Sequence, residues 1–145
     1  MDPTVILKEL HNAGRRYSDP SGHIFAEGLL ESEGVPSIKI IYNDLELRYN
    51  DITQVLPPIN VRIDFLQMHE SPMYAAIPYI VPPIKHPNVS PQDGFMCIGE
   101  EDLEWRTGMP HLIWSIAQLL IDPNFSDPIV SSGCLTMACY VRQWN

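Results

Sequence analysis

The sequence predicts an α+β fold: an N-terminal helix, a four-stranded antiparallel meander, an ordered proline-rich loop and two C-terminal helices. Three observations carry this reading. Residues Ile59–Leu66 alternate apolar and polar side chains, as a half-buried antiparallel strand does. Apolar residues at helical spacing flank the strand-like runs instead of interrupting them, which separates helices from sheet. Prolines crowd the middle of the chain, where they exclude a central strand.

The 145 residues fit the ~100–150 typical of one domain, so residues 1–145 read as a single domain. Asp2-Pro3 supplies an N-cap and a proline at the first helical position. Val5, Ile6, Leu10 and Ala13 follow at helical spacing, and Arg15 and Arg16 sit where cations suit the helix dipole. Asp19-Pro20-Ser21-Gly22 then turns the chain. Strand-like runs cover His23–Leu30 and Ser37–Leu47, separated by Gly34-Val35-Pro36. In the next run Ile59, Val61, Ile63 and Phe65 share one face, and Asn60, Arg62 and Asp64 the other. Short connections between such runs favour a meander over parallel crossovers.

Prolines at positions 72, 78, 82, 83, 87 and 91 leave only Ile77–Val81 able to pair, as a short edge strand. The stretch also carries Met73, Tyr74, Ile77, Tyr79, Ile80 and Val81, too much apolar surface for a linker, so it reads as ordered loop. Pro110 begins a second helix, His111–Ile121, with Leu112, Ile113, Ile116, Leu119 and Leu120 as its apolar stripe. Asp122-Pro123-Asn124 ends it, and Val130–Trp144 is a last amphipathic segment that packs back on the domain.

Eighteen acidic against nine basic residues give a formal charge of −9. That balance argues against nucleic acid, whose binding needs a cationic surplus, and against anionic membrane surfaces. No apolar run approaches the ~20 residues of a membrane span, and no signal-peptide core opens the chain. Three scattered cysteines suit a reducing, cytoplasmic setting better than a disulfide framework. Cys134 and Cys139 have no histidine at zinc-ligand spacing and read as two small buried hydrophobes. Neither a glycine-rich phosphate loop nor a Gly-x-Ser-x-Gly elbow is present.

Cys97 stands apart. It follows the turn sequence Pro91-Gln92-Asp93-Gly94, which places it in a loop or short extended segment. A solitary loop cysteine is either a nucleophile or a buried inert thiol, and its local sequence leaves both readings open. Downstream come Glu100, Glu101, Asp102 and Glu104, then Trp105. Such carboxylates disfavour a thiolate, a fault in a protease but a smaller one in a carrier that swaps acyl groups between thiols.

From Val61 to Pro128 the pattern resembles the ubiquitin-conjugating enzyme family. The elements stand in the family's order: the strand Val61–Phe65, the Ser71-Pro72 loop, His86-Pro87-Asn88-Val89, Gly94-Phe95-Met96-Cys97, Trp105, and Leu119 through Pro128 with Asp122-Pro123-Asn124. The N-terminal helix and the meander extend the likeness to nearly the whole chain. The resemblance implies a UBC-like fold in which Cys97 accepts ubiquitin or a ubiquitin-like modifier as a thioester from an activating enzyme. The modifier then passes to a lysine amine or a ligase cysteine. Asn88 matches the motif asparagine that stabilises the oxyanion or holds the active-site loop, and a side-chain amide is a sensible oxyanion donor. Asp127 matches the acidic residue that positions and desolvates the incoming lysine. His86 and Trp105 are read as scaffold. No metal or organic cofactor is implied, because ATP is consumed by the activating enzyme.

Departures from the family pattern give the resemblance the character of a divergent member. Eight residues separate Asn88 from Cys97, one more than usual, so a bulge is expected over Pro91–Gly94. Ala75-Ala76 stands in place of a diproline, Met73 in place of an aromatic residue, and Arg106-Thr107-Gly108 in place of Ser-Pro-Ala. These positions belong to the loops that meet ligases. The competing reading is a non-catalytic variant of the same fold that binds ubiquitin or scaffolds a partner. A cysteine hydrolase ranks last, since no histidine base and orienting partner accompany Cys97.

Overall fold

A computed structural model describes residues 24–32, 35–67, 74–99, 108–129 and 134–144 of the chain. Its described elements run from strands to helices. They are β1 (Ile24–Ser32), β2 (Val35–Tyr42), β3 (Glu46–Tyr49), β4 (Ile52–Val55), β5 (Ile59–Gln67), β6 (Tyr74–Ile80), α1 (Met109–Ile121) and α2 (Met137–Arg142). The chain is α+β, and its sheets are antiparallel. The helix expected over residues 2–16 lies outside the described residues, as do Glu100–Glu104 and Trp105.

Strands β1, β2, β5 and β6 form one sheet in that spatial order. Within it Val61 of β5 lies opposite Ile40 on one side and Ile80 on the other. Ile59, Val61, Ile63 and Phe65 are buried, while Asn60, Arg62 and Asp64 stay partly exposed, so the period-two pattern of the sequence is a pattern of burial. On the outer face Arg62 pairs with Asp64 at 3.1 Å and lies 4.7 Å from the ring centre of Tyr79.

Three strand boundaries differ from expectation. Val35 and Pro36 do not separate two strands but belong to β2, paired with Ser32 and Glu31 of a β1 that runs past Leu30. The run Ser37–Leu47 is not one strand: β2 ends at Tyr42, and Asp44, at φ 53°, turns the chain into a separate hairpin. That hairpin, β3–β4, turns at Asn50 and Asp51, with φ 49° and 62°. Paired positive φ values match the right-handed twist of the flanking strands, and Asn and Asp tolerate them. Apolar Leu45 and Leu47 continue the strand pattern in sequence, which conceals the break; both are buried.

Strand β6 begins earlier than the Ile77–Val81 segment expected and contains Pro78. The Pro78 carbonyl accepts from Met96 N on the side away from β5. The ring nitrogen, pointing the same way as its carbonyl, therefore costs the β5–β6 ladder no donor.

Helix α1 starts at Met109 beside Pro110 and buries Met109, Leu112, Ile113, Ile116, Ala117 and Leu120 in the common core. Tyr42 donates its hydroxyl to the Ile113 carbonyl at 2.8 Å, a buried bond between sheet and helix. Burial pushes that hydroxyl well above the ordinary tyrosine range, so it remains a donor. Among the described residues no helix is long and apolar enough to cross a membrane.

Cys134 and Cys139 are not two separate thiols, as the sequence reading had them, but a disulfide with Cα atoms 5.6 Å apart. Cys134 precedes α2, whose N-cap is Thr136, and Cys139 lies in its first turn. Had both sat within one helix, a five-residue spacing would have pointed their side chains apart; crossing the cap brings them into disulfide range. The inference from unlinked cysteines to a reducing compartment thereby loses one of its premises.

Candidate active site

The segment around Cys97 is a second small hairpin, built onto the free edge of β6. Ser90 N donates to Phe95 O at 2.8 Å and Cys97 N to Asn88 O at 2.9 Å, flanking the bridge between Val89 and Met96. Ile80 N to Gly94 O at 2.8 Å and Met96 N to Pro78 O at 3.0 Å tie it to β6. The turn closes on itself through Phe95 N to Asp93 Oδ1 at 3.0 Å. Asn88 and Cys97 face each other across this ladder.

Gly94 makes the attachment possible. It has φ 81°, and a Cβ there would collide with the Ile80 carbonyl oxygen. Only glycine combines that conformation with so close an approach.

His86 is fully buried, and both ring nitrogens are used. Nδ1 accepts from Asn88 N at 3.0 Å, which leaves the proton on Nε2 to be donated to Leu119 O at 2.8 Å. Burial lowers its pKa to about 4, against the opposing pull of the Leu119 carbonyl. The ring meets Tyr140 edge-on at 5.1 Å. A neutral imidazole with both nitrogens committed is a scaffold, not a base for Cys97.

Asn88, at 2% exposure, is equally committed. Its amide nitrogen donates to Asn124 O at 3.0 Å and Asp127 O at 3.3 Å, and its oxygen accepts from Asn124 N at 2.9 Å. Ile129 N to Pro87 O at 2.7 Å adds a backbone tie between the same two loops. These bonds hold the segment after α1 against the Cys97 hairpin. Asn124 is itself stiffened by accepting from Ser126 N and Ser126 Oγ at 3.2 and 2.6 Å.

Cys97 is exposed and is a free thiol. It opens into a cleft of about 370 Å³ that also takes in Asn88, Trp114, Gln118, Asp122 and Asp127. All three residues nominated from sequence, Cys97, Asn88 and Asp127, thus line one cleft. Its described walls hold two carboxylates, from Asp122 and Asp127, and no cation or histidine. Such a site offers an accessible sulfur, an acidic rim suited to an ammonium group and, among the described residues, no histidine to activate the thiol or a water.

Sequence reasoning missed Trp114. It points away from the buried stripe of α1, is 54% exposed and forms a wall of the cleft. Its position beside Leu112 and Ile113 but off their helical face was the available signal. No protein-family model and no curated protein matches the chain.

Proposed function

We propose that the chain is a divergent ubiquitin-conjugating-type enzyme with a UBC-like layout. In this reading Cys97 carries ubiquitin or a ubiquitin-like modifier as a thioester received from an activating enzyme. The observation that carries the reading is the exposed Cys97 thiol opening into the cleft shared with Asn88 and Asp127. The thiolate attacks the activating enzyme's thioester, a new thioester forms on Cys97, and the activating enzyme's sulfur leaves. A lysine amine then attacks the carbonyl, or a ligase thiol does; the C–S bond to Cys97 breaks, its sulfur leaves as a thiolate, and the proton lost by the nucleophile passes to that thiolate or to solvent.

Asp127 and Asp122 at the rim attract the lysine ammonium group. Asn88 serves first as the tie that holds the loop. Of its two donated bonds the one to Asp127 O, 3.3 Å long, is the longer and is the one an oxyanion would replace. The described walls hold no histidine beside Cys97, which suits an acyl carrier, whose intermediate must survive water. Exposure of Cys97 favours this over the binding-module alternative, in which the thiol has no task.

The test is incubation with a matched activating enzyme, ATP and a Gly-Gly-tailed modifier. An adduct that dithiothreitol removes and that Cys97→Ala abolishes is expected. No adduct with any modifier, under conditions where a known conjugating enzyme is charged, sinks the proposal.

A further inference from the structure

Helix α2 has six residues, too few to persist without tertiary support. Yet it braces the segment that positions the cleft. Gln143 brackets Lys85: Lys85 N donates to Gln143 Oε1 at 2.9 Å, and Gln143 Nε2 donates to Lys85 O at 2.6 Å. Tyr140 lies against the His86 ring and donates its hydroxyl to Leu120 O at 2.6 Å, next to the Leu119 carbonyl that His86 uses. Tyr140 and His86 therefore grip the same end of α1, and His86 in turn receives Asn88 N. The α2 end of this chain of contacts is held by the Thr136 cap and by the Cys134–Cys139 disulfide.

Of the two cysteines in that disulfide, Cys139 is the nearer to solvent. Cys134 is buried, but Cys139 is partly exposed, and Leu135 between them is 61% exposed. We propose that the thiol–disulfide state of Cys134 and Cys139 controls how firmly α2 braces the His86–Asn88 segment, and so controls the Cys97 site. As regulation of conjugation this rests on the function proposed above; as a coupling between the disulfide and the cleft it does not.

The reductant is a dithiol. Its thiolate attacks Cys139 Sγ, a mixed disulfide forms, and Cys134 leaves as a thiolate that takes up a proton. The second thiol of the reductant then closes on the first, releasing Cys139. One protein disulfide becomes two thiols, and one dithiol becomes its cyclic disulfide. Reduction removes the tether on α2, Gln143 and Tyr140 release Lys85 and His86 more often, and the cleft loses its fixed geometry.

The experiment compares the air-oxidised chain, the reduced chain and a Cys134→Ser/Cys139→Ser variant. In the oxidised chain iodoacetamide is expected to label Cys97 alone, with a mass lower by two hydrogens before labelling. Amide exchange at Lys85, Asn88, Cys97 and Asn124 is expected to quicken about five- to twentyfold on reduction and in the variant. The Cys97 alkylation rate is expected to change about threefold or more between oxidised chain and variant. Exchange rates that are equal in oxidised and reduced chains overturn the proposal, as does labelling of all three cysteines in the oxidised chain. The comparison within the wild-type chain keeps the test valid if the variant fails to fold. Charging with a modifier is read separately. Faster exchange on reduction with no charging in any form supports the coupling and removes the conjugating function; equal charging and equal exchange in both forms does the reverse.

Discussion

The chain builds two small hairpins by similar turn chemistry and treats them differently. The β3–β4 hairpin turns at Asn50-Asp51, carries Ile52 and Val55 at 67% and 55% exposure, and is anchored mainly through buried Leu47. The hairpin holding Asn88 and Cys97 turns at Asp93-Gly94 and is tied to β6, to α1 and to the loop after α1. Local backbone preference explains both turns. Among the described residues only the second has its polar groups engaged by distant segments, and such engagement keeps a reactive side chain in one place.

Four substitutions or titrations probe this contrast. The largest effect is expected from Gly94→Val, where the positive φ and the collision with the Ile80 carbonyl act together. A loss of about 4 kcal/mol, read by urea unfolding, is expected; a loss below about 1 kcal/mol would break the claim that the hairpin is pinned to β6.

Next comes the pH dependence of His86. Its folded pKa, about 4, lies below the ordinary 6.5, so the unfolded chain binds the proton more readily. The contribution is therefore complete above pH 6.5 and is lost as the pH falls toward 4. The shift corresponds to about 3 kcal/mol at most. Unfolding free energies measured across that window should show a slope that is shallower in His86→Gln.

Asn88→Ala strands Asn124 N–H and two carbonyls and is expected to cost about 2 kcal/mol. Proteolysis near residues 124–127 should quicken in parallel, and unchanged cleavage would show that other contacts hold that loop. The smallest effect belongs to the other hairpin: Ile52→Thr should shift stability by less than about 0.5 kcal/mol, because the side chain is already in water. A larger shift in thermal unfolding would mean that β3–β4 is braced as the Cys97 hairpin is.

Much of this was legible in the residues. The alternation of Ile59–Phe65, the Pro110 start and apolar stripe of α1, and the chemical distinctness of Cys97 are short-range signals. Co-location of Cys97 with Asn88 and Asp127 was reachable only through the order of motifs along the chain, since 29 residues lie between Cys97 and Asp127. The break at Asp44 was hidden because Leu45 and Leu47 keep the apolar pattern going. The disulfide was hidden because its existence depends on where α2 begins, and cap position is the least certain feature of a helix.

Periodicity, turn residues and proline placement act within a few residues, and from them follow the antiparallel strands, the two described helices and the nomination of one thiol. Burial and pairing act across the fold, and they decided that Asn88 and His86 are ties, that Cys97 faces a cleft walled by Trp114, and that Cys134 is joined to Cys139. The reason is physical: a side chain's partners are set by which distant segments fill the space around it, and that space exists only once the sheet and α1 have closed on each other.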